Sequence, residues 1–242
     1  MYRIAKDLSQ YDNHGALVGG PKWVKGKFNG ALELDGVDDY VVVEKSDSLK
    51  FGKGSFSVEA WVNLSTKQTT GGPGGRLAND RGTGAGGTLH GWQIKINNTG
   101  DGNKKWGFND SGIDDATGNY GVYNPGWKVT TANYGNGEWY HVGVVYKAGT
   151  GLSFYVNAEL DGEVEIKKYG SLDNDLPVVI GAAIAHDGKE GQLSQFFPGI
   201  VDEIRIWNRA LSQNELETYM TEGLAVYPSG KLTTTWGIIK IR

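Results

Sequence analysis

Oxygen-bearing side chains cluster in the first turn of this 242-residue chain, at Asp7, Ser9, Asp12 and Asn13. Calcium in proteins takes roughly six to eight oxygen ligands from carboxylates, amides and backbone carbonyls. The turn is therefore a candidate for part of a calcium site. The alternative is that these side chains accept hydrogen bonds from their own backbone, as such residues do in tight turns. No EF-hand spacing occurs, so a calcium site here would be of another class.

A second group of side chains has the chemistry of a sugar-binding surface. Aromatic rings stack on the C–H face of a sugar, while amides and carboxylates bond its hydroxyls. Residues 65–136 and 182–198 are long polar segments that combine such groups with runs of glycine, and long loops are often functional. The predicted ligand-binding residues are Asn79, Asp80, His90, Trp92, Trp106, Trp127, Tyr134, His186 and Gln192.

Among these rings Trp127 is the first candidate for an exposed platform, because it follows an Asn-Pro-Gly turn, and Trp92 is the second. The alternative is that the rings plug the loops against the rest of the domain.

Several classes of function are disfavoured by composition. The four histidines have no neighbouring nucleophile motif, and no G-x-S-x-G, H-E-x-x-H or P-loop pattern occurs. The chain has no cysteine, which removes disulfides, thiol catalysis and Cys-based zinc sites. A net charge of −4 argues against a nucleic-acid or anionic membrane surface. No apolar run is long enough to span a bilayer.

The elements that must position these groups are mostly strands. Phe56–Val62 alternates apolar and other side chains with a period of two, as a strand does. The 38 glycines and 6 prolines suit many tight turns between short strands. The one strong helix signal is a capping box at Ser212 and Glu215, with Leu211 and Leu216 as a hydrophobic staple. We expect the only substantial helix to start at Ser212.

Six fragments resemble, in the same order, the laminin-G-like, concanavalin A-like jelly-roll domains of bacterial multidomain proteins. They are KDLSQYDNHGALVGG (6–20), FNGALELDGVDDYVVV (28–43), GSFSVEAWVN (54–63), GEWYHVGVVY (137–146), LSFYVNAELDG (152–162) and VDEIRIWNRALSQNEL (201–216). The resemblance implies an all-β protein, an antiparallel β-sandwich with one short C-terminal helix. It assigns residues 1–226 to this domain and leaves 227–242 as an extension, either an added edge strand or a linker.

The resemblance also implies a function and a metal. Domains of this class often hold structural calcium, usually act as binding modules and seldom as enzymes. The equivalent first turn, the aspartate after the third strand and the aspartate of VDE meet in space there. The predicted calcium ligands are therefore Asp7, Asp12, Asn13, Asp35 and Asp202. The same resemblance implies that Trp61, Trp139 and Trp207 pack within the domain.

One segment, Glu159-Leu160-Asp161-Gly162-Glu163, resembles the E-x-D-x-E strand of jelly-roll glycosidases. In that strand, carboxylates two residues apart share a cleft as nucleophile and general acid. The alternative is an ordinary hairpin strand, because the segment follows a turn and Gly162 is a poor residue for a packed catalytic strand. We expect the hairpin, and no enzyme activity.

The leading hypothesis is a non-catalytic, calcium-dependent module that binds a glycan or cell-surface polysaccharide. The alternatives are a calcium-stabilised protein–protein adhesion or structural module, and a glycoside hydrolase that uses Glu159 and Glu163. We expect no signal peptide in this chain, because its first residues lack an apolar run. We expect a domain of a larger secreted or cell-surface protein, with no nucleic-acid partner and no membrane insertion.

Overall fold

The computed structural model describes residues 4–65, 75–80, 82–83, 89–98, 104–113, 120–123, 128–166, 170–184, 193–222 and 235–240. No helix among these residues is both long and apolar enough to cross a membrane.

The described residues form twenty strands, one α-helix and a short 3₁₀ turn at Asp47–Leu49. The strands are β1 Ile4–Asp7, β2 Gly15–Val18, β3 Lys22–Lys25, β4 Gly30–Asp35, β5 Tyr40–Val43, β6 Phe56–Leu64, β7 Arg76–Asn79, β8 Gly82–Thr83, β9 Leu89–Asn98, β10 Lys104–Ile113, β11 Tyr120–Tyr123, β12 Lys128–Val129, β13 Trp139–Lys147, β14 Gly151–Val156, β15 Glu159–Glu165, β16 Val178–Ile180, β17 Ala183–Ile184, β18 Leu193–Ser194, β19 Pro198–Trp207 and β20 Thr235–Lys240. The helix, α1, is Gln213–Thr221.

Two antiparallel sheets pack face to face. Sheet 1 has the strand order β1-β2-β5-β16-β7-β9-β10-β12. Sheet 2 has the order β3-β4-β19-β6-β13-β14-β15. The predicted β-sandwich with one short helix is confirmed. Within the segment predicted as an extension, β20 pairs with both β19 and β1.

The main core lies between the sheets, and strand β6 shows why. Phe56, Val58 and Val62 alternate along it and are almost fully buried in the main apolar cluster. Glu59 and Asn63 occupy the intervening positions, so they project from the other face of sheet 2. We call this second side the outer face of sheet 2.

Helix α1 covers part of the outer face. Ser212 caps it, accepting a hydrogen bond from Glu215 N at 3.3 Å and donating from its own N to the Glu215 carboxylate at 2.9 Å. Leu211 and Leu216 are buried with Trp207 in a second apolar cluster. The predicted capping box and helix start are confirmed.

A buried charge network joins α1 to the sheet. Arg205, on β19, donates to Glu59 at 3.2 Å and to Glu203 at 2.9 Å. It also donates to the backbone carbonyls of Tyr219 and Glu222 at the end of the helix, at 3.1 and 3.3 Å. These carbonyls have no partner within the helix, so a cation beneath them stabilises the helix end.

Candidate functional site

One row of side chains crosses the outer face of sheet 2. Lys22 pairs with Glu33, Glu33 with Ile200, Ile200 with Asn63, and Asn63 with Trp139. Paired residues on neighbouring strands point to the same face, and neighbouring strands lie about 4.8 Å apart. Five strands therefore present two charged groups, an aliphatic group, a carboxamide and an indole over roughly 19 Å. We call these five residues the cross-strand row.

An open groove of about 360 Å³ is lined by four residues of this row, which are Lys22, Glu33, Ile200 and Asn63. Its volume lies in the range of small-molecule sites, about 300–1,000 Å³. The lining residues are Lys22, Glu33, Leu34, Asp35, Asp39, Asn63, Leu64, Ser65, Gly137, Gly199 and Ile200. The groove thus combines carboxylates, an amine, an amide and a hydroxyl with aliphatic side chains.

The sequence builds this groove through strand alternation and one glycine. In β4, Leu32 and Leu34 are buried while Glu33 and Asp35 are exposed. In β19, Gly199 has a φ of 157°, and a Cβ atom there would lie 2.4 Å from the carbonyl oxygen of Asn63. A side chain at position 199 would therefore collide with the neighbouring strand, and glycine allows β19 and β6 to approach.

Carboxylates converge at one end of the groove, at the turn after β4. Oxygens of Asp35, Asp38 and Asp39 lie within 4.8 Å of one another. Burial acts to raise the pKa of Asp35, but hydrogen bonds from the N–H groups of Val37 and Asp38 outweigh it, so the pKa is lowered. Burial raises the pKa of Asp39, and the charge of Asp35 adds to this effect. Asp35 therefore remains ionised at neutral pH.

The two charged groups of the cross-strand row, on β3 and β4, are available to a ligand. Lys22 and Glu33 are both exposed and face each other across β3 and β4. Neither makes a side-chain hydrogen bond or an ion pair with any residue that the structure describes.

Two of the predicted sugar-binding rings lie in the core, so neither forms an exposed surface for a ligand. Trp92 is 0% exposed and packs against Phe51, with ring centroids 6.2 Å apart. Trp106 is 3% exposed and packs against Phe197, with centroids 6.5 Å apart. The reason is that β9 and β10 extend sheet 1, so alternate residues of these strands face the sandwich interior.

Three predicted polar ligands are engaged inside the domain. Asn79 is 1% exposed and donates to the backbone carbonyls of Val179 and Ala182 at 3.2 and 2.5 Å. Asp80 accepts the N–H of Trp92 at 2.7 Å. The half-buried Tyr134 donates its hydroxyl to Asp161. These hydrogen bonds hold the three side chains against the domain.

The other predicted ligand-binding side chains cannot be placed in this way. Those of His90, Trp127, His186 and Gln192 lie outside the residues whose side chains the structure describes.

The predicted calcium ligands do not form one centre. Asp35 pairs with Pro198, which lies four residues before Asp202 along β19. Asp35 and Asp202 are therefore about 13 Å apart. Calcium lies only about 2.5 Å from each ligand oxygen, so these two aspartates cannot share an ion. Asp202 instead accepts the N–H of Phe28 at 2.9 Å.

The first turn satisfies its own backbone, as the alternative interpretation expected. Asp7 accepts the N–H groups of Ser9 and Asn13, both at 2.8 Å. The Asn13 amide donates to Ser48 at 2.9 Å, and Asp12 adopts a left-handed conformation with a φ of 54°.

The proposed catalytic pair is divided between two faces of β15. Glu159 pairs with Val156, whose side chain lies in the core, whereas Glu163 pairs with Ser153 on the outer face. The register shifts between these pairs, and Gly162 there has a φ of 149°. This bulge turns the two carboxylates to opposite faces, so they cannot flank one glycosidic bond.

Sequence reasoning missed the whole cross-strand row. Alternation in β4 and β6 marks Glu33 and Asn63 as outward-facing. Trp139, which pairs with Asn63, packs its ring edge-on against Trp61 at 6.5 Å and is half-buried.

A family model described as the concanavalin A-like lectin/glucanases superfamily matches residues 35–217, more than half of the chain. The chain belongs to this superfamily. The resemblance inferred from the six sequence fragments is thereby confirmed. A search of curated proteins finds no match.

Solved structures share the fold of this superfamily domain at low sequence identity. The binding domain of Paraclostridial Mosquitocidal Protein 1 has a TM-score of 0.64 and 18% identity, over 90% of this chain and 51% of that one. A candidate carbohydrate-binding protein from Bacteroides ovatus has a TM-score of 0.57 and 19% identity, over 87% of this chain and 50% of that one. The chain thus spans about half the length of both structures.

A third structure matches along nearly its whole length. It is domain 4 of AbnA, an extracellular arabinanase from Geobacillus stearothermophilus, in complex with arabinotriose. Its TM-score is 0.58 at 14% identity, and the match covers 91% of this chain and 99% of that one.

Proposed function

We propose that this superfamily domain binds carbohydrate without cleaving it, and that the groove on sheet 2 is the binding site. The observation that carries the proposal is an open groove of about 360 Å³ that is lined by the cross-strand row from Lys22 to Asn63. Two relatives support the ligand class, since one is described as a candidate carbohydrate-binding protein and one is bound to arabinotriose.

The groove can satisfy both the polar and the apolar surface of a sugar. Glu33 and Asp35 accept hydrogen bonds from hydroxyl groups, and Lys22 donates to them. The amide nitrogen of Asn63 donates to Gly137 O at 3.2 Å, which directs its oxygen as an acceptor. Ile200 and the half-buried Trp139 ring provide apolar surface for C–H faces.

Each of these contacts is individually weak. We expect a dissociation constant between micromolar and millimolar for one site, about −8 to −4 kcal/mol.

A glycan array followed by calorimetric titration of the best oligosaccharide tests the proposal. Asn63→Ala removes an acceptor from the groove and should weaken binding roughly two- to tenfold, as loss of one neutral hydrogen bond does. Asn208→Ala, at an exposed position after β19, is the matched control and should bind as the wild type does. An array with no binding glycan, or equal affinity for both variants, would contradict the proposal. The former outcome would favour the protein-adhesion alternative.

Calcium dependence and an extracellular location stay predictions. Among the described residues, the carboxylates that lie close enough for a cation are those of Asp35, Asp38 and Asp39, of which only Asp35 was predicted. Calcium that binds only the folded state would stabilise it by about 2.7 kcal/mol at a hundredfold its dissociation constant. The expected result is a lower melting temperature in EDTA than in calcium. Identical melting temperatures would contradict the prediction of a calcium site.

A further inference from the structure

The groove carries an excess of negative charge. Glu33, Asp35 and Asp39 line it against a single cation, Lys22. Asp38 adds a fourth carboxylate, with an oxygen within 4.8 Å of those of Asp35 and Asp39. The hydrogen bonds that lower the pKa of Asp35 keep that carboxylate ionised at neutral pH. A ligand in the groove therefore meets a negative potential.

The hydrogen-bonding groups in the groove also favour a ligand without negative charge. The Glu33 carboxylate makes no hydrogen bond or ion pair with the described residues, so its oxygens are free to accept. One N–H of the Asn63 amide, a donor of the lining, is already used by Gly137 O. Hydroxyl and ammonium groups can donate to these acceptors, whereas a carboxylate or sulfate group cannot.

We propose that the groove is specific for glycans that carry hydroxyl or amino groups, and that it excludes glycans bearing uronate, sialate or sulfate groups. The inference rests on the proposed function and names the ligand class of the same site. Its physical basis is that like charges repel over the few ångströms between ligand and lining. Desolvating an acidic glycan beside carboxylates that outnumber Lys22 adds a further cost.

A charge reversal at one position tests this selection. Wild type, Glu33→Lys and Glu163→Lys are compared on one array of neutral, amino-bearing and anionic glycans, in EDTA so that no divalent cation offsets the carboxylates. Glu163 is exposed on the edge strand β15 and makes only a long hydrogen bond, 3.3 Å from Ser153. Glu163→Lys therefore changes the net charge of the protein by the same amount as Glu33→Lys does, but it leaves the groove intact.

The expected result has two parts. Wild type binds only neutral or amino-bearing glycans, and Glu33→Lys gains at least about fivefold signal on anionic glycans. Glu163→Lys does not gain this signal. Anionic glycans among the wild-type ligands, no gain in Glu33→Lys, or equal gains in both variants would each overturn the inference while leaving carbohydrate binding in place. An array on which the wild type binds nothing, in EDTA and again in calcium, would instead overturn the proposed function.

Discussion

At the scale of single residues, Asp80 shows how burial changes chemistry. Its carboxyl accepts the N–H of Trp92 at 2.7 Å and is 8% exposed. Burial raises its pKa to about 8, and the charge of Asp173 adds to the effect. The folded protein therefore keeps this carboxyl protonated at neutral pH, whereas the unfolded chain ionises near pH 4.

This difference predicts how stability depends on pH. A group with a higher pKa in the folded state stabilises most below its unfolded pKa, and this contribution is lost as pH rises through the folded value. The free energy of unfolding should fall between pH 4 and 8, by up to about 1.4 kcal/mol per pH unit from Asp80. Urea denaturation across this pH range measures the free energy of unfolding.

Asp80→Asn should flatten the dependence of this free energy on pH. Asp175→Asn is the control and should not change it, because the Asp175 side chain is 82% exposed. Equal slopes in the wild type and both variants would contradict the assignment of the effect to Asp80.

Trp92 offers a prediction about stability instead of binding. Its ring is fully buried, whereas Trp23 on edge strand β3 is 36% exposed. Trp92→Ala should cost about 3–5 kcal/mol of unfolding free energy, as removal of a large buried side chain does. Trp23→Ala should cost much less. Chemical denaturation of both variants is the measurement, and a stable Trp92→Ala protein would show that the ring is not part of the core.

The two tryptophan positions also show a limit of prediction from sequence. Both Trp92 and Trp106 lie in a segment rich in glycine and polar residues, which resembles exposed loop. Their burial depends on β9 and β10 pairing with each other and with β7. This long-range pairing decides which face of each strand meets the core, and local composition does not contain it.

At the scale of elements, the bulge in β15 separates Glu159 from Glu163. We therefore expect no release of reducing sugar from β-glucans or similar polysaccharides by the purified protein. Glu159→Gln should give the same baseline as wild type. A reducing-sugar assay that detects hydrolysis by wild type but not by Glu159→Gln would restore the glycosidase alternative.

The start of helix α1 was predictable from the sequence, whereas the bulge in strand β15 was not. Ser212, Glu215, Leu211 and Leu216 act on one another within a few residues, so their spacing alone indicates the start of α1. The β15 bulge depends instead on how β14 pairs with it. Local signals were therefore sufficient to predict the cap. The resemblance to glycosidases could be tested only once the register between β14 and β15 was known.

At the scale of the whole molecule, the candidate site exists because α1 covers only part of the outer face of sheet 2. The cross-strand row brings together segments near residues 22, 33, 63, 139 and 200, which are distant in the chain. The fold class followed from alternation and from the six matching fragments. The site did not, because each of its residues looks like an ordinary outward position until the strand order is known.

NMR titration can locate the binding site on the protein. Backbone and side-chain N–H signals of ¹⁵N-labelled protein are followed while the best oligosaccharide from the array is added. We predict the largest shifts at Glu33, Ile200, the Asn63 side-chain amide and the Trp139 indole N–H. Shifts confined to residues 65–136 and 182–198, with these four positions unchanged, would contradict it and return the site to the long loops.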